Sequence, residues 1–333
     1  MPTSDPAGIA APARTDPAAH QPRVSAIVPA PVLNERGRRC LQELVRLEDV
    51  EVIFVADGAT EGAPEGVCCL ESGPAMPGVK RQLGLERSQG EVIALIDDDA
   101  YPHPDWLRYA LAELDADPAV GAVSGPTLTP PDAPLLEELG GLVYASPLVS
   151  GPHRWRYATV AARDVDDAPT VNLVVRREDA LAIGLDSAFQ VGEDTVICER
   201  LIKRGRRIRY VPQAIVFHAR RPLWRPHLRQ LWKWSRHRGS FARRGGVNSL
   251  RPSYFAPSTL LVAVASGPVL RGSLRRLWSL GLVGYLGACA AAGADRDPRR
   301  WVRVSGAIVA THATYGVGFL LGFGGVRVSG QEG

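Results

Sequence analysis

Cysteine is scarce in this chain of 333 residues, which contains five and no CxxC pair. An odd number without a regular spacing predicts neither a disulfide framework nor a zinc site. The first 22 residues are rich in alanine and proline and lack the apolar segment of a secretory signal. We therefore expect residues 1–22 to form a disordered tail and the thiols to be reduced in a cytoplasmic protein.

Acidic residues are missing from one long stretch of the chain. None occurs between Glu199 and Asp295, where arginine and lysine recur, although the formal net charge of the whole chain is only +4. Such a basic half predicts an anionic partner, which could be a nucleoside diphosphate, a nucleic acid or an acidic membrane face. A solvated basic surface is the simpler alternative.

From Val24 onward, short apolar runs alternate with segments of helical spacing. A strand then a helix are predicted within 168–185, and a helix then a strand within 192–211. The other predicted elements are strands at 24–30, 50–57, 91–99, 120–128 and 214–218 and helices at 34–47, 77–88 and 104–117. This alternation predicts an α/β fold with an open, mostly parallel sheet flanked by helices. Ligands of such sheets bind at the carboxyl ends of the strands.

Three consecutive aspartates, Asp97, Asp98 and Asp99, follow one of these apolar runs. Alternate side chains of an extended strand point to the same side, so we expect Asp97 and Asp99 to converge. Two carboxylates so close together repel each other unless a cation lies between them. Mg²⁺ or Mn²⁺ would relieve this repulsion and could hold a diphosphate. The alternative is a capping cluster for the next helix, which already has Asp105 in its first turn.

Three apolar stretches occur near the end of the sequence, at 254–270, 277–293 and 304–326. Crossing a bilayer takes roughly 20 residues, so the first two are marginal and the third is long enough. Three crossings would also place the arginines of 271–276 outside, against the positive-inside tendency. We therefore favour a shallow or re-entrant hairpin for the first two, with any full span being the last. Residues 253–328 are predicted to form a membrane-associated helical region, and a buried soluble hairpin is the alternative.

From Val24 to about Arg244 the sequence resembles the family 2 glycosyltransferases, which have the GT-A fold. The resemblance rests on VSAIVPAPVLNE, IFVADGAT, LIDDDAYPHPDWL and the run from NLVVRRED through GED to AIVFH, in the family's order. It implies a GT-A domain at 23–252 and inverting, metal-dependent transfer from a nucleotide-diphosphate sugar to a hydroxyl acceptor. Ala56 and Val196 stand where the family usually or often has acidic residues.

The resemblance also implies roles for individual residues. Asp194 would be the general base, and Glu193 could instead orient the acceptor. Asp97 and Asp99 would form the DxD pair, with Asp99 the more direct metal ligand, and His218 would be a further metal ligand. The implied nucleotide-sugar site, with cations to offset the diphosphate charge, comprises Asp57, Asn34, Glu35, Lys80, Arg81, Asp97, Asp98, Arg236 and Arg238.

The stretch QLWKW at 230–234 resembles the QxxRW element of processive polysaccharide synthases. In those enzymes the aromatic residue supports the acceptor sugar, which makes Trp234 and Trp232 candidate acceptor contacts. A tryptophan-rich amphipathic helix at a membrane interface would have the same composition. The chain is also short for a complete synthase channel.

We therefore predict a glycosyltransferase associated with the membrane, at the cytoplasmic face of the cell membrane. Its acceptor would be lipid-linked or membrane-proximal, in the synthesis of cell-envelope glycans or glycolipids. A catalytically silent relative that serves as a membrane scaffold is the main alternative. Nucleic-acid binding by the basic stretch 220–244 would leave the aspartates unexplained, so we expect no nucleic-acid partner.

Overall fold

The computed structural model describes residues 22–186, 192–245 and 250–326. The tail predicted at 1–22 therefore lies outside the described residues, apart from Pro22. The predicted boundary between the GT-A domain and the C-terminal region, after residue 252, falls at the first residue of a helix and stays a prediction.

The described residues form two sheets, and the larger has eight strands in the order β3-β2-β1-β4-β9-β6-β10-β8. They are β1 (Val24–Pro29), β2 (Val50–Ala56), β3 (Val67–Glu71), β4 (Val92–Leu95), β6 (Val120–Ser124), β8 (Arg163–Val165), β9 (Leu173–Arg176) and β10 (Arg207–Tyr210). β1 is parallel to both β2 and β4, whereas β9 is antiparallel to its neighbours. The prediction of an α/β fold with a mostly parallel sheet is confirmed, although β3 and β8 were not predicted.

The smaller sheet has the order β5-β11-β7, with β5 (Ala100–Pro102), β7 (Thr127–Leu128) and β11 (Val216–His218). Because of this second sheet, the predicted boundaries of two strands, 91–99 and 120–128, are wrong. The strand predicted at 91–99 ends at Leu95, because the three aspartates turn the chain out of the buried sheet, where their charges could not be solvated. The strand predicted at 120–128 is likewise divided between the two sheets.

Helices cover both faces of the larger sheet. The predicted helices are present as α1 (Glu35–Leu44), α2 (Pro77–Arg87), α3 (Trp106–Ala116), α6 (Arg177–Ile183) and α7 (Glu193–Lys203). α1 and α3 bury their apolar residues in the core on one face, while α2, α6 and α7 contribute to the core on the other. The segment between β7 and β8, for which we predicted no helix, contains α4 (Leu135–Ala145) and α5 (Pro147–Ser150).

Among the described residues after the last strand there are four α-helices: α8 (Arg225–Arg243), α9 (Pro252–Ala265), α10 (Gly272–Ala292) and α11 (Pro298–Phe323). Each of the three predicted apolar stretches falls mainly within one of them. In the part of the chain that the structure describes, α11 is the one helix that is long and apolar enough to cross a membrane. A third core joins Leu139 and Val143 of α4 to Val304 and Ile308 of α11.

Candidate active site

Lys80, on α2, connects the ends of the first two strands. Its buried ammonium group donates a hydrogen bond of 2.6 Å to the carbonyl of Ala30, just after β1. It also forms an ion pair with Asp57, just after β2. The hydrogen bond from Lys80 lowers the pKa of Asp57, so this carboxylate is ionised at the strand end.

Arg81, the next residue of α2, joins the acidic turn after β4 to the first turn of α7. Its buried guanidinium contacts Asp97 at 2.7 Å and also forms an ion pair with Glu193. A buried cation between two carboxylates offsets their repulsion and fixes their positions. Two predicted site segments that lie about a hundred residues apart in sequence therefore meet at one guanidinium.

Asn34 connects the start of α1 to the same acidic turn. Its side-chain oxygen accepts a hydrogen bond of 2.9 Å from the amide of Gly37 and caps the helix. Its side-chain nitrogen donates to Asp98 at 3.3 Å. Burial, followed by the charges of Asp99 and Asp97, raises the pKa of Asp98 to about 6. Glu35, in the first turn of α1, is exposed.

Asp99 and His218 lie together because β5 and β11 are paired, with His218 opposite Ala100. The Nε2 atom of His218 is 3.1 Å from a carboxylate oxygen of Asp99, and Arg221 lies 3.5 Å from the other oxygen. Burial alone would raise the pKa of Asp99, but the positive neighbours outweigh it and lower the pKa to about 2. Asp99 is therefore held in its ionised form.

The donor set at this point fits a divalent ion. Asp99 offers an oxygen and His218 a nitrogen, and both side chains are partly accessible. Among residues 22–186, 192–245 and 250–326, no group of three His, Cys, Asp or Glu side chains is arranged to hold a metal. Ions such as Mg²⁺ are often bound by one or two protein groups, with water and phosphate oxygens as the other ligands. Two protein donors are therefore sufficient for an ion that a diphosphate would help to hold.

Asp194 occupies the first turn of α7, next to α8. Gly192, which precedes this turn, has φ +92°, and a Cβ there would lie 2.7 Å from the ring of Phe241 on α8. Glycine therefore permits both the left-handed backbone and the close approach of the two helices. Removal from water, followed by the charge of Asp167, raises the pKa of Asp194 to about 6. The amide of Thr195 donates to its carboxylate at 2.9 Å.

Asp167 is the buried centre of a polar network beside Asp194. Its carboxylate accepts a hydrogen bond of 3.0 Å from the hydroxyl of Thr195. It also lies 3.1 Å from Arg156 and 3.8 Å from Arg238. Arg238 in turn lies over the ring of Tyr254, 4.6 Å from its centre. Arg238 is thus next to the Asp194 region, and α8 supplies a cation to that region.

The other predicted residues of α8 lie near its two tryptophans. The guanidinium of Arg236 is 5.9 Å from the centre of the Trp232 ring. The Trp234 ring centre lies 6.1 Å from that of Tyr144, and Trp234 is exposed. Both tryptophans have accessible surface, as an acceptor contact requires. Their predicted role stays a prediction.

Comparison with known proteins identifies the family. The model of glycosyl transferase family group 2 matches residues 92–294, and that of glycosyl transferase family 2 matches residues 25–134. This chain belongs to the family 2 glycosyltransferases. The resemblance found in the sequence is therefore confirmed.

Two curated glycosyltransferases are similar to this chain over part of their length. The chain is 30% identical over 148 residues to the pre-mycofactocin glycosyltransferase of Mycobacterium tuberculosis H37Rv, covering 44% of this chain and 30% of that protein. It is 24% identical over 235 residues to the probable glycosyltransferase YdaM of Bacillus subtilis, covering 65% and 55%. The chain thus matches about half the length, or less, of these relatives.

A solved structure supports the GT-A fold of this family 2 chain. It is the mannosyltransferase PcManGT from Pyrobaculum calidifontis, in complex with GDP-Man and Mn²⁺. The similarity has a TM-score of 0.56 at 20% identity and covers 88% of this chain and 86% of that one. At this level of identity the similarity is one of fold.

Several residues of this glycosyltransferase site were missed in the sequence. Arg220 and Arg221 follow His218 after one intervening residue, Ala219. Arg220 places a nitrogen 3.2 Å from the Nδ1 atom of His218. Asp167 and Arg156 lie in a region that showed no regular pattern. A signal for Asp167 does exist, because the acidic pair in VDDAPT lies before the buried run NLVV, with four residues between them.

Proposed function

We propose that this chain is an inverting, metal-dependent glycosyltransferase that moves a sugar from a nucleoside-diphosphate donor to a hydroxyl group. The observation that carries this proposal is the ion pairing of Arg81 with both Asp97 and Glu193. It brings the acidic turn, which is suited to a donor and its cation, next to the helix terminus that bears Asp194. A transferase for two substrates needs two such adjoining regions.

The donor side is formed by the strand ends. Asp57 would contact the nucleobase. Asn34 and Glu35, at the start of α1, would belong to the same site, since the amide of Asp57 donates to the carbonyl of Pro31 just before that helix. Asp99 and His218 would hold Mg²⁺ or Mn²⁺, with Asp97 beside them. The bound ion would offset the negative charge that the departing diphosphate gains. Lys80 and Arg81 contribute by fixing Asp57 and Asp97, and the positive charge of Arg221 next to Asp99 adds to the same region.

The acceptor side is formed by the first turn of α7. Asp194 would take the proton of the acceptor hydroxyl as that oxygen attacks the anomeric carbon. A base of raised pKa binds this proton more firmly than an ordinary aspartate and is still largely ionised at neutral pH. A single displacement of this kind inverts the anomeric configuration. Glu193, held by Arg81, would orient the acceptor, and Trp234 and Trp232 would contact it.

We further propose that the acceptor is lipid-linked or membrane-proximal and that the protein acts at the cytoplasmic face of the cell membrane, in cell-envelope glycan or glycolipid synthesis. The supporting observations are the apolar helices after α8 and the basic character of 200–294. Anionic lipid headgroups attract such basic segments.

Calorimetric titration of the purified protein with UDP, GDP, dTDP and CDP, with and without Mn²⁺, tests the donor site. We expect one nucleotide to bind only with the ion, and Asp99→Ala to abolish this binding. Asp105→Ala is the matched control, because Asp105 lies in the same segment but is partly exposed and paired with Arg108. Absence of ion-dependent binding for all four nucleotides would contradict the proposal and favour a silent scaffold.

A further inference from the structure

α11 is bound to the catalytic unit, defined here as residues 22–245, from its first turn onward. Near its start, Arg300 contacts Glu138 of α4 at 3.0 Å. At its middle, Thr311 hydrogen-bonds His227 of α8 at 3.0 Å. The next residue, His312, donates a hydrogen bond of 2.9 Å to a backbone carbonyl of α5. These polar contacts fix the helix against surfaces that belong to the sugar-transfer domain.

The second half of α11 lies backbone to backbone with α8. A Cβ at Gly318 would collide with Ser235, and one at Gly322 would collide with the carbonyl of Arg236. In the other direction, a Cβ at Gly239 of α8 would collide with the carbonyl of Phe319. The two helices therefore run side by side, in the same direction, over about 18 Å at ~1.5 Å per residue.

α8 is too polar to enter hydrocarbon. Arg225, Arg229 and Lys233 recur at every fourth position and are all exposed. Charged side chains on a lipid-facing helix are strongly disfavoured in the bilayer core. Since α11 is fixed alongside α8, it could not cross a bilayer without drawing these charges into it. The helix with the most suitable composition for a membrane span is therefore the one that the fold holds away from a spanning position.

α10 has the opposite character. Cys289 is the one buried residue along its length. Its large apolar side chains are mostly exposed, with Leu277 at 67%, Leu280 at 71% and Val283 at 68%. Trp278 donates a hydrogen bond of 2.8 Å to the carbonyl of Ala263 and so fastens α10 to α9. A continuous exposed apolar surface of this kind marks an interaction site.

The charges beside this surface indicate what covers it. Arg271 lies directly before α10, and Arg275 and Arg276 lie in the first turns of that helix. All three are exposed and belong to the stretch without acidic residues. Arginines next to exposed leucines suit an anionic bilayer, whose headgroups pair with the cations while the apolar side chains enter the boundary with the acyl chains. Insertion of the α9–α10 turn through the core would instead force these three arginines across it.

We propose that α10 and the adjoining end of α9 form the membrane-contacting surface, that its partner is an anionic bilayer, and that α11 does not cross the membrane. The inference rests on the membrane association contained in the proposed function and specifies its geometry. Both ends of α11 then stay on the side of the catalytic unit. The protein sits on one leaflet, and the acceptor reaches Asp194 from that leaflet.

The sidedness of α11 can be measured in the full chain carrying Arg296→Cys and a C-terminal protease-cleavable tag. In inside-out membrane vesicles, we expect both an impermeant thiol reagent and added protease to reach their targets. The same chain without Arg296→Cys gives the background from the native thiols. Protection of the tag would indicate that α11 crosses, and protection of position 296 would indicate a hairpin span. Either result would overturn the inference.

Flotation with vesicles tests the surface itself. Wild-type protein should bind vesicles containing phosphatidylglycerol and bind pure phosphatidylcholine weakly. Leu280→Asp should lower the bound fraction at least tenfold. Leu181→Asp is the matched control, because Leu181 is also an exposed leucine, at 48%, but lies on α6 of the catalytic unit.

Nucleotide binding separates this inference from the proposed function. Leu280→Asp should keep the ion-dependent nucleotide binding of the wild type, which also shows that the variant is folded. If it does not, Val269→Asp, on the turn before α10, replaces it. Unchanged flotation of these variants, or no binding of the wild type to either vesicle, would overturn the inference while leaving the test of the donor site unaffected.

Discussion

The turn between β4 and β5 and the start of α7 each hold a partly buried aspartate, and the pKa values of the two carboxylates are shifted in opposite directions. At Asp99, His218 and Arg221 outweigh burial and lower the pKa to about 2. At Asp194, burial and the charge of Asp167 raise the pKa to about 6. The surroundings of each aspartate, more than the residue type, therefore set its pKa. The low pKa of Asp99 suits a carboxylate that binds a cation, and the raised pKa of Asp194 suits a proton acceptor.

Removal of the proton acceptor should have the largest effect. Asp194→Asn leaves the strand-end site intact, so we expect transfer to fall about 10²–10⁴-fold in kcat while nucleotide affinity is unchanged. Glu199→Gln, at a partly exposed position on the same helix that pairs with Lys203, should change kcat little. Initial rates of transfer and calorimetry measure both quantities. If Asp194→Asn lowers kcat by less than tenfold, Asp194 is not the general base.

Breaking the connection between the two regions should mainly affect stability. Arg81→Met leaves Asp97 and Glu193 without their shared cation, so we expect the free energy of unfolding to fall by about 3–5 kcal/mol. Arg87→Met, at the exposed end of the same helix, should change it by no more than about 0.5 kcal/mol. Urea unfolding followed by circular dichroism measures both. Equal stability of the two variants would show that the buried ion pairs do not hold the regions together.

The pH dependence of sugar transfer tests whether Asp167 raises the pKa of Asp194. If Asp194 must be ionised, kcat/KM should rise with pH through a midpoint near 6 and level off above it. Asp167→Asn removes a negative neighbour and leaves Arg156 and Arg238 to favour the carboxylate, so the midpoint should move to lower pH by about one unit. Asp166→Asn, the exposed neighbouring acid, is the control. A midpoint that stays in place in Asp167→Asn would exclude this coupling.

The smallest effect should be on the stability of the metal-free protein, where Asp194→Asn and Asp99→Asn should change the free energy of unfolding in opposite directions. The folded-state pKa of Asp194 is raised, so its ionisation disfavours folding as pH rises through about 6, and Asp194→Asn should stabilise the protein at pH 7 by about 1–2 kcal/mol. Asp99, ionised beside His218 and Arg221, favours folding at the same pH, and Asp99→Asn should destabilise it by a similar amount. Melting temperatures in a chelator should shift in opposite directions. Shifts of the same sign would refute the contrast.

The sequence by itself determined the alternation of strands and helices and placed Asp57, Asp97 and Asp99 at strand ends. Local periodicity carries this information, because burial imposes a period of two on strands and 3.6 on helices. The turn of Asp97–Asp99 out of the sheet was missed. An apolar run that leads into acidic residues does not show at which residue the strand ends. The family resemblance added the pairing of Asp99 with His218 as an expectation, and the structure places the two side chains 3.1 Å apart.

Only the tertiary structure decided how these residues are supported. Arg81 donates hydrogen bonds to both Asp97 and Glu193, and Asp167 lies beside Asp194. These contacts join segments that are far apart in the chain. Hydropathy likewise singled out the last apolar stretch as the span, whereas its glycines and Thr311 bind it to α8. Periodicity describes each segment alone. Desolvation, ion pairing and helix contact depend on distances that exist only once the segments have packed together.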